Sequence, residues 1–327
     1  METTLRLSGS MNGKRMSKFP SEALVESERY GLKLKPNFSG DVVRDEFNIK
    51  FRINSLGFRG EEIGAKSGYR IVCLGDSMTF GYGVNDDETF TKILGDRLNK
   101  ETINIGVLGY DIDRYFLLFE DVVLPLKPDL LIVFFAVTND FGQSVKKGSA
   151  PAIKIESGPS FVSHIKNVKE HIFLNSHLCR WFKSRLDTTS KLNMLLIRLG
   201  LRSAGEIYLR KYPKTMLAKV KRVRLILKDI SVRSKEQGFE LVVVAIPDLA
   251  QVADGVRLDP EIWDLDKPNR VLSSIAGELN LRYLDLLPFF KQSREMFYYP
   301  IDGHLNRAGH KKAADCVYEY IQKGPES

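Results

Sequence analysis

Five short runs of apolar residues, each bounded by turn residues, divide the chain. Most of these runs are rich in β-branched side chains, which is typical of strands buried in a parallel sheet. We therefore predict five parallel strands at residues 69–74, 102–105, 130–137, 240–246 and 282–286.

Between these runs, apolar residues recur at helical spacing. Phe90, Ile93 and Leu94 stand at i, i+3 and i+4, and a last helical pattern follows Asn306. Strands that alternate with helices predict βαβ crossovers, with helices on both faces of the sheet and ligands at the carboxyl ends of the strands. The expected fold class is α/β: a flavodoxin-like three-layer α/β/α arrangement around a parallel five-stranded sheet.

Two segments depart from this alternation. Residues 1–60 include apolar positions that alternate from Phe47 through Ile49 and Phe51 to Ile53, which predicts a small β-rich N-terminal extension. We predict that residues 61–325 form the main domain. Within it, the basic and mainly helical residues 143–237 are predicted to be an insertion without a separate core.

The charge of the chain is unevenly distributed. The net charge is +8 over 327 residues, and residues 143–237 hold 21 Lys and Arg against 6 Asp and Glu. Such asymmetry indicates either a surface for a polyanion or a membrane, or a set of solvated helix faces, and both interpretations stay open. The same asymmetry also occurs on nucleic-acid-binding surfaces, but a nucleic acid is not the expected partner.

The cysteines favour a reducing compartment. Cys73, Cys179 and Cys316 are odd in number and far apart, so they indicate neither a disulfide framework nor a zinc site. The first 20 residues have no apolar core of signal-peptide length, and no run approaches the length of a membrane span. We expect a soluble, cytoplasmic protein.

The ends of two predicted strands carry residues suited to nucleophilic catalysis. Ser77 follows the first strand in Gly-Asp-Ser, and Asp302 and His304 follow the fifth. A serine hydroxyl needs an adjacent base, itself oriented by a third group. Residues two apart in an extended segment project to the same side, so Asp302 can hold one nitrogen of His304 while the other faces Ser77. His310 is a less favoured alternative base, expected to cap or pack in the last helix.

The ends of the second and third strands offer donors for a developing oxyanion. Gly109 lies in Asn-Ile-Gly-Val-Leu-Gly, where a backbone N–H can approach a ligand closely, and Asn139 presents a side-chain amide. Each also has a structural interpretation, Gly109 as a turn glycine and Asn139 as a helix cap. Their joint placement favours a catalytic role.

These four positions resemble the four blocks of the SGNH/GDSL hydrolase superfamily, which carry Ser, Gly, Asn and His in that order over residues 70–320. The segment Asn-Ser-Leu-Gly-Phe-Arg-Gly at residues 54–60 also resembles one that precedes the serine block in a bacterial branch. Two features differ from the usual pattern. Only Gly303 separates Asp302 from His304, where the family usually has two residues, and Val137 replaces the glycine of the third block.

The resemblance implies a mechanism. His304, oriented by Asp302, takes the proton of Ser77, and Ser77 attacks an ester carbonyl. The N–H groups of Ser77 and Gly109 and the Asn139 amide bind the oxyanion, and water releases the acyl group. No cofactor or metal is implied, and the substrate is expected to be a small-molecule or glycan ester.

Two other functions remain open from the sequence. An O-acyltransferase acting on a carbohydrate would use the same acyl-enzyme, with an alcohol outcompeting water. A catalytically silent module that binds carbohydrate or polyanion would instead use the basic residues 143–237. The α/β-hydrolase motif G-x-S-x-G is not matched, because Thr79 replaces its second glycine, and the phosphate-binding motif G-x-x-x-x-G-K-[ST] is absent from the sequence.

Overall fold

A computed structural model describes residues 19–142, 205–253 and 258–324. These residues form strands β1 (Leu24–Ser27), β2 (Gly31–Leu34), β3 (Phe38–Val43), β4 (Asn48–Ile53), β5 (Arg70–Gly75), β6 (Glu101–Gly106), β7 (Leu130–Ala136), β8 (Glu240–Ile246) and β9 (Arg282–Asp285). Strands β5 to β9 pair in the order β6-β5-β7-β8-β9, all parallel. The five predicted strands are confirmed, and no strand end differs by more than one residue.

Helices cover both faces of this sheet. They are α1 (Ser77–Phe80), α2 (Phe90–Leu98), α3 (Ile112–Leu118), α4 (Val137–Gly142), α5 (Lys214–Gln237), α6 (Leu249–Val252), α7 (Lys267–Glu278), α8 (Leu287–Lys291) and α9 (Arg307–Gln322). Helix α3 continues through a π-helical turn at Phe119–Val123 and a last turn at Leu124–Leu126. Short 3-10 helices occur at Ser21–Ala23, Asp86–Glu88 and Glu206–Tyr208.

Alternate residues along a strand point to opposite faces of the sheet and pack into two separate hydrophobic cores. Val72 and Leu74 of β5 pack with side chains of α3, α5 and α7, whereas Ile71 and Cys73 pack with side chains of α2, α8 and α9. The period of two along a strand therefore divides the helices into two layers. The result is the predicted flavodoxin-like three-layer α/β/α fold.

Two antiparallel hairpins, β1–β2 and β3–β4, occupy the described part of the N-terminal extension. Along β4, Ile49, Phe51 and Ile53 are buried and the residues between them are exposed, which is the alternation read from the sequence. The Phe51 ring lies 5.7 Å from that of Phe80, edge to face. The hairpin therefore packs directly on α1, the short helix that begins at Ser77.

Arg59 joins the extension to the turn after α1. Its side chain is 1% exposed and donates hydrogen bonds to the carbonyl oxygens of Phe80, Gly81 and Val84 and to the carboxylate of Asp86. Only a guanidinium carries enough donors in one plane to satisfy so many acceptors. Burial lowers the pKa of Arg59, and the charge of Asp86 opposes this shift.

Helix α5 forms the C-terminal part of the basic segment at residues 143–237 and packs on the sheet. It leads into β8 and buries Val223, Ile226 and Ile230 against the sheet, so the final part of residues 143–237 packs as part of the α/β unit. The physical reason is the apolar stripe along one face of this helix, which needs a sheet to cover it. Residues 143–204 lie outside the described part of the chain.

Several cations of α5 have acidic partners on the main domain. They form the ion pairs Arg222 with Asp113, Arg224 with Glu278 and Arg233 with Glu120. These ion pairs neutralise part of the positive charge of α5. That the basic segment contacts a polyanion or a membrane surface stays a prediction. Among the described helices, none is both long enough and apolar enough to span a bilayer.

Replacing Arg59 with alanine should lower the free energy of unfolding by about 3 kcal/mol, because it leaves buried carbonyl groups without donors and breaks a buried ion pair. Arg52→Ala is the matched control: Arg52 pairs with the same Asp86, but its side chain is 64% exposed, so its loss should cost less than about 1 kcal/mol. Urea denaturation followed by circular dichroism measures both. Equal losses would contradict the role assigned to Arg59.

Candidate active site

Ser77 begins α1 directly after β5. Asp76 caps this helix, since its Oδ1 accepts the N–H of Met78 at 2.8 Å. Gly75 makes the sharp transition possible, because a Cβ there would lie 2.0 Å from Oγ1 of Thr79. Ser77 is 7% exposed, and its hydroxyl therefore stands at the carboxyl edge of the sheet with limited access to solvent.

The loop between α8 and α9 brings Asp302 and His304 to Ser77. Nε2 of His304 lies 2.8 Å from Oγ of Ser77, and Nδ1 lies 2.5 Å from Oδ1 of Asp302. In the neutral tautomer protonated at Nδ1, this ring donates to Asp302 and can accept the serine proton at Nε2. The three residues selected from the sequence thus form one hydrogen-bonded chain.

Only one residue separates Asp302 from His304 in the sequence, where the family's usual pattern has two. The two side chains still meet in the structure. Gly303 has a φ of +87°, in the left-handed region that favours glycine, and this turn brings the two side chains together. Two other carboxylates near the strand ends are engaged elsewhere: Asp248 accepts from Oγ1 of Thr138, and Asp285 accepts from Nδ2 of Asn269.

Asn139 lies in α4, at the end of β7, and its Nδ2 donates to Oδ2 of Asp76 at 2.6 Å. A carboxamide is planar, so fixing one of its N–H bonds also fixes the direction of the other. Burial raises the pKa of Asp76, while the hydrogen bonds from Asn139 and Met78 oppose that shift. Asn139 is therefore held by the residue that precedes Ser77.

Gly109 lies in the loop between β6 and α3, with a φ of +73°. Among the described residues, no atom lies within 4 Å of the position that a Cβ would take there. The N–H groups of Ser77 and Gly109 have no hydrogen-bond acceptor among the described residues. As far as the described residues go, both N–H groups are thus available to a ligand.

A polar network beside Asn139 gave no signal in the sequence. Oγ1 of Thr138 donates to Asp248 at 2.7 Å and lies 3.2 Å from the hydroxyl of Tyr208. On the other side, Oδ2 of Asp140 accepts the N–H of Ala136 at 2.8 Å. Burial raises the pKa of Asp140 well above its ordinary value, and the nearby charge of Asp76 adds to the shift.

His310 is fully buried in α9 and does not bond to Ser77. Its Nδ1 accepts the N–H of Phe90 at 3.1 Å, and its ring stacks on that of Phe90 at 5.2 Å. Burial, followed by the electrostatic influence of Arg59 and His304, lowers the pKa of His310 to about 3. This histidine is a packing and capping residue, as expected.

Three further histidines, His164, His171 and His177, lie outside the described residues. Across residues 19–142, 205–253 and 258–324, no group of three or more His, Cys, Asp and Glu side chains is arranged to hold a metal ion.

The low pKa of His310 makes the fold sensitive to acid. The unfolded chain binds a proton at this residue below pH 6.5 and the folded chain does not, so its contribution to stability is complete above pH 6.5 and is lost towards pH 3. The slope reaches about 1.4 kcal/mol per pH unit. In His310→Gln, which can still accept the N–H of Phe90, this slope should be missing from unfolding free energies measured between about pH 7 and pH 4. Parallel curves for parent and variant would rule out a buried neutral His310.

The chain is similar to several solved structures at low sequence identity. Similar solved structures include a lipase/acylhydrolase from Enterococcus faecalis, at 14% identity and a TM-score of 0.44, covering 80% of this chain and 100% of that one. An acetyl xylan esterase, AlAXEase, has 14% identity and a TM-score of 0.44, with coverage of 77% and 99%. A catalytic mutant of an acetylxylan esterase from Geobacillus stearothermophilus has 13% identity and a TM-score of 0.44, with coverage of 78% and 94%.

No curated protein sequence matches the chain. The GDSL-like Lipase/Acylhydrolase family, in contrast, matches residues 73–312, which is well over half of the chain and includes Ser77, Gly109, Asn139, Asp302 and His304. The protein is therefore a member of the GDSL-like lipase/acylhydrolase family and an ester-hydrolysing enzyme.

Proposed function

We propose that the protein is a serine esterase that hydrolyses an O-acyl ester through an acyl-enzyme on Ser77. The observation that carries this proposal is the chain of hydrogen bonds from Oγ of Ser77 through His304 to Asp302, at 2.8 and 2.5 Å. Nucleophile, base and orienting carboxylate each lie within hydrogen-bond reach of the next, which is the arrangement that activates a serine hydroxyl.

The first half of the reaction transfers the acyl group to the enzyme. His304 takes the proton of Ser77 at Nε2 while Oγ attacks the ester carbonyl, and the carbonyl oxygen becomes an oxyanion. Asp302 stabilises the imidazolium that forms. The tetrahedral intermediate then collapses: the bond to the alcohol oxygen breaks, and His304 returns its proton to that oxygen.

The second half repeats these steps with water. His304 takes a proton from water as the water oxygen attacks the acyl carbon of the ester on Ser77. The intermediate breaks at the Ser77 oxygen, which regains its proton from His304, and the carboxylic acid leaves. No group outside this chain is consumed except ester and water.

The oxyanion is proposed to bind three donors: the N–H groups of Ser77 and Gly109 and the amide of Asn139. Support comes from the lack of an acceptor for either N–H group within the described residues. Asn139 adds a donor held in advance by Asp76 at 2.6 Å, so it needs little reorganisation when negative charge develops.

The nucleophile and the base can be tested directly. Ser77→Ala and His304→Gln should each lower kcat for 4-nitrophenyl acetate by at least about 10⁴-fold, because members of a triad act as a unit. A fluorophosphonate should modify the parent enzyme at Ser77, located by mass spectrometry of peptides. His310→Gln is the control and should keep most of the activity. Labelling at another serine, or a fully active Ser77→Ala variant, would refute the proposal.

Asn139→Ala tests the proposed oxyanion donor and should lower kcat by about 10²- to 10³-fold. Because Asn139 also bonds to the buried Asp76, we expect a loss of about 1–2 kcal/mol in the free energy of unfolding. Thr138→Val, which removes the neighbouring bond to Asp248, is the control and should change kcat by less than about tenfold. A loss of stability in Asn139→Ala with normal kcat would leave Asn139 only a structural role.

A further inference from the structure

A carboxylate from the N-terminal extension holds the loop that carries the proposed base. Glu46 lies in the turn between β3 and β4, and its Oε1 and Oε2 accept the backbone N–H groups of Ile301 and Asp302 at 2.9 and 2.7 Å. Hydrogen bonds to an ionised acceptor are stronger than neutral ones, and a two-point contact fixes direction as well as distance. Glu46 thus controls the backbone at the residue that orients His304.

The loop offers these two N–H groups no acceptor of its own. Within it, the N–H of Gly303 bonds to the carbonyl of Tyr299, and the N–H of Tyr299 bonds to the carbonyl of His304. The side chain of Ile301 cannot anchor the loop, because this residue is 73% exposed. Glu46 therefore supplies the acceptors for the two N–H groups that the loop's own hydrogen bonds leave unpaired.

Other residues of the same turn reach the proposed base indirectly, through Tyr82. The ring of Phe47 lies 4.9 Å from that of Tyr299 and 5.4 Å from that of Tyr82. Tyr82 in turn meets the His304 ring edge to face at 4.9 Å. Arg44 donates two hydrogen bonds to the Tyr82 hydroxyl, at 2.9 and 3.2 Å, and so fixes the tilt of that ring.

We propose that Glu46 is a positioning residue of the catalytic centre, which sets the orientation of the Asp302–His304 pair towards Ser77. This inference rests on the proposed function of that pair. Glu46 reaches the reaction only through the backbone of Ile301 and Asp302 and touches no reacting atom. It lies outside residues 73–312, so the matched family region does not contain it.

Positioning of this kind has a definite kinetic signature. A displacement of a catalytic group by about 1 Å costs up to about 100-fold in rate. Substrate binding does not depend on the tilt of the imidazole in the same way, so kcat should fall while KM stays nearly constant.

The test compares Glu46→Gln and Glu46→Ala with the control Asp41→Asn, which removes a charge from an exposed position on β3 of the same hairpin. With 4-nitrophenyl acetate, both Glu46 variants should lose about 10- to 100-fold in kcat, with KM within about twofold of the parent. In Glu46→Gln one acceptor oxygen becomes an NH₂ that faces a backbone N–H, so an isosteric side chain should still fail. Asp41→Asn should match the parent.

Chemical rescue separates positioning from general support of the fold. Added formate, at constant ionic strength set with chloride, should occupy the vacated acceptor site in Glu46→Ala and restore part of the lost kcat. If Glu46→Ala folds poorly, the test uses Glu46→Gln instead. The rate at which a fluorophosphonate labels Ser77 in this variant should fall in parallel with its kcat. Parent-like kcat in Glu46→Gln, or no recovery with formate in a folded Glu46→Ala, overturns the inference.

The two proposals fail in different ways. If Ser77→Ala retains the parent activity, the proposed function is wrong and the Glu46 inference falls with it. If Ser77→Ala is inactive but both Glu46 variants match Asp41→Asn, the serine mechanism stands and only the positioning role is lost.

Discussion

The 2.8 Å contact between Ser77 and His304 joins two residues that are 227 positions apart, and the whole site depends on it. A parallel sheet makes such a contact possible, because every strand ends at the same edge and the loops after the strands meet there. In the order β6-β5-β7-β8-β9, the central β5 and β7 deliver Ser77 and Asn139 side by side. The loop after α8 then closes over them from the far end of the chain.

The sequence contains enough information for the sheet and for the chain of three residues. Strands buried in a parallel sheet are mainly hydrophobic, and the proposed nucleophile and base lie where strands end, so both leave local patterns. Glu46 left none, because it bonds to backbone N–H groups 255 and 256 residues away and backbone acceptors impose no residue type on their partners. Arg59 was visible within a motif, but its role as donor to three carbonyl groups depends on the fold. The charge of α5 marks it as part of the basic segment, whereas its packing on the sheet follows from its apolar stripe.

Two carboxyl groups next to the site are buried, and their burial costs free energy of folding. Asp76 and Asp140 are both buried, and burial raises the pKa of each. Their hydrogen bonds to Asn139 and to the N–H of Ala136 recover part of that cost and fix the end of β7. Stability is thus lowered where the geometry of catalysis is set, a common feature of active sites.

The distance along the chain between nucleophile and base has a consequence for synthesis. Domains form from the N-terminus as the ribosome extends the chain, and contacts between distant segments form late. The β3–β4 hairpin and β5 with Ser77 are complete when more than 200 residues remain to be made. In the proposed mechanism, the serine has no base until His304 has left the ribosome, and until then the turn that carries Glu46 has no loop to hold. On that mechanism the nascent chain carries an inert hydroxyl, and hydrolytic activity begins only after the segment with His304 has been made.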